Sequence, residues 1–133
     1  MIATTCPIIG INEKGIPFEV AMVMSALEAG AHGAKDRRNV QRASYRVPAS
    51  LKLFSDLERK SPRQLFIRDI NARSLGFVTA DRLPLGHGGV VELPGPDGES
   101  LSVHCTLLRC RQASPGWFEG CLHFNREQTV FGT

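Results

Sequence analysis

The apolar residues of this chain change their period once. Over Phe18–Ala31 the residues Val20, Val23, Met24, Leu27 and Ala31 recur at steps of three and four, which places them on one face of a short amphipathic helix. Pro17 stands where a first helical position tolerates its missing N–H, and Gly30 and Gly33 supply the stop. Residues 1–16 carry no such period and read as loosely extended, and 35–46 reads as a basic linker. From Val47 onward the pattern becomes one of short apolar runs cut by turns. It predicts strands at 47–54 (VPASLKLF), 65–70 (LFIRDI), 75–79 (LGFVT), 89–93 (GVVEL), 101–110 (LSVHCTLLRC) and Trp117–Phe124 (WFEGCLHF). Pro48 falls near the start of the first strand, where an absent donor matters least. The run Pro94-Gly95-Pro96-Asp97-Gly98 and the triplet Ser114-Pro115-Gly116 are dense turn signals between strands.

Six strands joined by short turns predict an all-β fold, an antiparallel barrel or sandwich, with one N-terminal helix packed on it or on a partner chain. The length of 133 residues fits one domain with one core. An apolar fraction of 42% and a charged fraction of 22% belong to a folded globular chain. No stretch approaches the run of about 20 apolar residues that a membrane helix requires, and the apolar start is interrupted by Thr, Cys and Pro, unlike a secretory signal. The expectation is a soluble, cytoplasmic protein with no membrane association.

The net charge of +3 hides an uneven distribution, because 35–73 holds eleven Lys and Arg against Asp36, Asp56, Glu58 and Asp69. Such a field favours a local anionic partner over a uniformly basic surface for coating nucleic acid. A nucleic-acid-binding barrel is a weaker reading, since one Trp and one Tyr leave few aromatic platforms for bases. Cys6, Cys105, Cys110 and Cys121 form no CxxC pair. Together with His104 and His123 they fit no zinc template, so no metal is expected and the thiols read as reduced and structural.

Catalytic motifs are missing. The segment 10–15 (GINEKG) lacks the Lys-Ser/Thr ending of a phosphate-binding loop, and His87-Gly88-Gly89 has no nucleophile elbow to accompany it. Asp69 and Asp81 are too far apart in sequence to read as a catalytic pair. The expectation is a protein that is not an enzyme and uses no cofactor.

The arginines carry more. Arg38, Arg42 and Arg46 lie four residues apart, and an arginine fork can grip phosphate oxygens bidentately or stack on a purine. Asp69 can accept two N–H groups from a guanine edge, and Asn71 points to the same side if the segment stays extended. The stretches Arg42-Ala-Ser-Tyr-Arg46-Val-Pro and Arg68-Asp69-Ile-Asn71-Ala-Arg-Ser74-Leu-Gly76-Phe, with the 93–98 hairpin, resemble the PilZ domain family, receptors for the bacterial second messenger cyclic di-GMP. The resemblance spans roughly 36–127.

The resemblance implies a six-stranded PilZ-like barrel at 36–133, including the arginine-rich arm, behind an N-terminal segment at 1–35. It implies a non-enzymatic receptor that signals to a downstream protein partner through ordering of the arm. Arg42 and Arg46 would grip phosphate and stack on guanine, with Arg38 as the neighbour that could substitute. Asp69 would read a guanine edge, and Asn71, in the position usually held by serine, would join Ser74 and Gly76 in completing the ligand-binding site. Two positions depart from the family pattern of D/N-x-S-x-x-G: Asn71 replaces Ser and Ser74 replaces Gly. If Ser74 occupies a left-handed backbone position, it costs of order 1 kcal/mol, Gly76 partly takes over, and Ser74→Gly improves binding. The alternative is a degenerate PilZ-like interaction module that binds no dinucleotide. Whether copies of the chain assemble stays open.

Overall fold

The computed structural model describes residues 15–31, 42–56 and 61–132. Arg38 and most of the basic linker lie outside the described residues, as do residues 1–14. Helix α1 spans Phe18–Ala31 and is followed by β1 (Ala43–Leu53), β2 (Arg63–Ile70), β3 (Ser74–Thr79), β4 (Gly88–Pro94), β5 (Ser100–Ser114) and β6 (Trp117–Phe124). A 3-10 turn at Thr129–Phe131 ends the described chain.

All strand pairs are antiparallel, in the order β1-β2-β3-β6-β5-β4, and β1 pairs with β4 to close the sheet on itself. Closure leaves the sheet without an open edge. Alternation fills the inside: Ala49, Leu51 and Leu53 of β1 meet Leu65, Ile67, Leu75, Phe77, Val91, Leu107, Leu122 and Phe124 in one buried cluster. Tyr45 packs at its edge, donates its hydroxyl to the Pro94 carbonyl at 2.5 Å and meets the Phe131 ring edge-on at 5.6 Å. The turns follow the expected chemistry. Gly98 (φ 90°) and Gly116 (φ 83°) take left-handed positions in the β4–β5 and β5–β6 hairpins.

The helix covers the outside. Ile16, Val20 and Met24 bury themselves against Phe66 of β2 and Val78 of β3, with Trp117 partly buried beside them. Val20, Met24 and Leu27 follow the predicted helical stripe. Phe18 and Met22 stand exposed on the other side. Among the described residues, no helix is long and apolar enough to cross a membrane.

One boundary departs from the sequence reading. The first strand begins at Ala43, not Val47, so Arg46 is part of the sheet and not of a loose arm. Ser44 pairs with Asp69 and Val47 with Ile67, with a bulge between them that absorbs one extra residue of β1. That bulge is the reason the period of two is illegible over 43–46. Further bulges interrupt β2 between Ile67 and Asp69, and β5 between Leu107 and Arg109. These three lie around one outer patch, and a fourth bulge falls in β5 between Gln112 and Ser114.

Candidate functional site

Arg42 is the centre of that patch. Its side chain is only 4% exposed. Its Nε donates to Asp69 Oδ1 at 2.8 Å, and its Nη1 donates to Ser74 Oγ at 3.1 Å and to Cys121 Sγ at 3.5 Å. The guanidinium of Arg42, the residue just before β1, therefore joins the end of β2, the start of β3 and the middle of β6.

Asp69 is held from three sides. Its Oδ1 also accepts from the Gly76 N–H at 3.1 Å, while Oδ2 accepts from Arg68 Nε at a long 3.3 Å. Gly76 lies opposite Asp69 in the β2–β3 ladder. A Cβ at Gly76 would stand 2.5 Å from Asp69 Oδ1. This glycine is needed for space, not for an unusual backbone angle, since its φ is not in the left-handed region.

The turn between β2 and β3 explains Asn71. Its N–H donates to the Ser74 carbonyl at 2.9 Å, and its Oδ1 accepts from the N–H groups of Arg73 (2.8 Å) and Ser74 (2.9 Å). This is the local side-chain-to-backbone bonding for which Asn is favoured in turns. The expectation that Asn71 extends beside Asp69 is thereby corrected: its side chain folds into the turn and is buried. The expected strain at Ser74 is corrected as well. No described non-glycine residue has positive φ, and Ser74 opens β3 as an ordinary extended residue.

Arg46 goes elsewhere. Its Nη2 donates to Glu28 Oε1 on α1, and the two side chains are 27% and 51% exposed. Such a surface pair contributes at most about 1 kcal/mol. The structure thus joins Arg42, Asp69, Ser74 and Gly76 directly, places Asn71 under them as a turn cap, and turns Arg46 toward the helix. The expected loose arm is corrected over 42–46, where Arg42 is pinned and Ala43 already pairs with Ile70.

A second polar group on the same outer face was invisible to motif reading. Glu119 of β6, 2% exposed, accepts from Arg109 Nη2 at 3.0 Å and from Arg111 Nε at 2.5 Å. Its neighbour two residues on, Cys121, faces the same way and touches Arg42. The signal in the sequence was a lone acid inside the apolar run 117–124, with two arginines two apart on the preceding strand.

Among the described residues, no group of three His, Cys, Asp or Glu side chains could hold a metal. Cys105 is buried with its thiol pushed up to about 11 by desolvation, which makes it a packing residue and not a nucleophile. Ser55 Oγ lies 2.8 Å from His87 Nδ1, but both are exposed and no described residue orients the imidazole from its other nitrogen. Neither a protein-family model nor a curated protein matches the chain.

Proposed function

We propose that the chain is a PilZ-like receptor domain that binds cyclic di-GMP and is not an enzyme. One observation carries the reading: Arg42 sits on Asp69, Ser74 and Gly76, so the arginine segment and the turn motif, 27 residues apart at their closest bond, form one patch. A cyclic dinucleotide offers what such a patch recognises, a phosphodiester for the guanidinium and a guanine edge for the carboxylate. Asp69 Oδ2, held by one long bond from Arg68, keeps acceptor capacity for guanine N–H groups. Arg46 releases Glu28 at little cost and swings onto the ligand.

Isothermal titration of the full chain with cyclic di-GMP tests the reading. Saturable binding is expected, and Arg46→Ala weakens it by about 2 kcal/mol, the scale of a charge-assisted contact. Arg46 is the better probe than Arg42, because its described partner is a half-exposed surface acid.

A second reading has its own observation. Arg42 is 4% exposed with three partners inside the protein, as a structural ion pair would be. On that reading the domain is a degenerate interaction module presenting a surface to another protein. No heat at high micromolar cyclic di-GMP selects it.

A further inference from the structure

The outer face holds two carboxylates that each fix arginines, one on β2 and one on β6 with β3 between them. Asp69 fixes Arg42, and Glu119 fixes Arg109 and Arg111. Cys121 lies between the two groups: it is the register partner of Gly76 on one side and of Arg109 on the other. With neighbouring strands about 4.8 Å apart, the Cα of Arg109 is roughly 10 Å from that of Gly76. Arg42 reaches into this gap through Cys121 Sγ.

The two groups differ in what they leave open. Arg109 and Arg111 are 42% and 68% exposed, whereas Arg42 is nearly covered. Among the described residues, Arg109 Nε is the single buried side-chain nitrogen or oxygen without a hydrogen-bond partner. An unpaired buried donor is a cost that the folded chain carries until an acceptor reaches it. Glu119 holds this guanidinium by Nη2, and with 42% of the side chain exposed a pivot on that bond would bring the Nε–H to an incoming anion. Four guanidinium groups (Arg42, Arg68, Arg109, Arg111) against two carboxylates (Asp69, Glu119) leave the face with a net charge of +2.

We infer that Arg109, supported by Arg111 and positioned by Glu119, forms a phosphate-binding subsite on the outer face of β5 and β6. On the receptor reading, on which this extension rests, it takes the second phosphodiester of the cyclic dinucleotide. The ligand then lies across Cys121, its two negative charges matching the surplus of two. The Nε–H of Arg109 and the exposed Nη edges are the donors, and Glu119 stays buried beneath them.

Arg109→Lys is the informative variant, because lysine keeps the charge and the ion pair with Glu119 but has no guanidinium Nε–H. Isothermal titration with cyclic di-GMP is expected to show tenfold or greater weakening in this variant. Unchanged affinity overturns the subsite and leaves the receptor reading standing. In parallel, the Arg109 Nε–H resonance, assigned by its loss in Arg109→Lys, is followed in nitrogen-15 spectra of the wild type as inorganic pyrophosphate is added. A saturable shift is expected, and no shift overturns the subsite even if the variant binds poorly through lost stability. If the wild type binds no cyclic di-GMP, the receptor reading falls and the pyrophosphate titration alone decides the subsite.

Discussion

Arg42 shows how one side chain can tie distant parts of the sequence together. Its bonds to Asp69, Ser74 and Cys121 span 27, 32 and 79 residues. Because Asp69 is only 15% exposed, moving it leaves a largely desolvated carboxylate less well paired. Gly76→Ala forces that move, since the new Cβ would lie 2.5 Å from Asp69 Oδ1. Chemical denaturation is expected to show a loss of about 1–3 kcal/mol, the usual range for overpacking. Ser74→Gly behaves differently from what the family pattern suggests. The hydroxyl accepts from Arg42 and the backbone is unstrained, so the change removes a bond and relieves nothing. A loss of roughly 1 kcal/mol is expected, with no gain in dinucleotide affinity. Arg42, Asp69, Ser74 and Gly76 were singled out by the family resemblance, not by arginine spacing alone, and the structure brings them into contact. Asn71 was misread because its side chain answers to the turn's own N–H groups, which no strand periodicity reveals. Arg109, Arg111 and Glu119 left only the faint signal of a lone acid in an apolar run, since the bulge after Leu107 decides which β5 residues face Cys121.

At the scale of elements, the helix and the first strand meet the barrel on different terms. The α1 stripe was readable from Val20, Met24 and Leu27, and the structure adds what it covers, Phe66 and Val78 on the outside of β2 and β3. This cluster is separate from the barrel core. Met24→Ala therefore loosens the helix at a cost of about 2–4 kcal/mol to its docking while the barrel stays closed. Amide exchange checks this: α1 amides should speed up in the variant, and those of β5 should hold. β1 is the element whose start the sequence placed four residues late, because the bulge between Ser44 and Val47 breaks the alternation. Its early start changes the expected dynamics of the arginine segment. Ala43 and Ser44 pair with Ile70 and Asp69, so the chain from 43 onward should exchange slowly without ligand. Fast exchange there in the free protein would contradict this pairing. Any ordering by ligand then acts through side chains such as Arg46, which must leave Glu28 before it can engage an anion.

For the molecule as a whole, closure of β1 on β4 seals one apolar interior, and an ionisable group buried in it makes stability depend on pH. Cys105, 1% exposed, lies in that core, donating weakly to the Gly89 carbonyl at 3.7 Å. Burial raises its thiol from an ordinary value of 9.0 to about 11. Between those two values the unfolded chain loses this proton while the folded chain keeps it, so the folded state binds more protons there. Stability must then fall as the solution is made more alkaline. The contribution is fully present below pH 9 and lost as the pH rises toward 11, by an amount of order 2 kcal/mol at pH 10.5. Tyr45 adds to the same trend, because burial and the nearby Asp97 carboxylate both raise its phenol. The two effects separate by substitution. Cys105→Val keeps a small apolar group in the core and removes the thiol, so urea midpoints measured at pH 8 and pH 10.5 should converge in the variant relative to the wild type. An equally steep alkaline loss in Cys105→Val would place the titrating group elsewhere, with the hydroxyl of Tyr45 at the Pro94 carbonyl the first place to look.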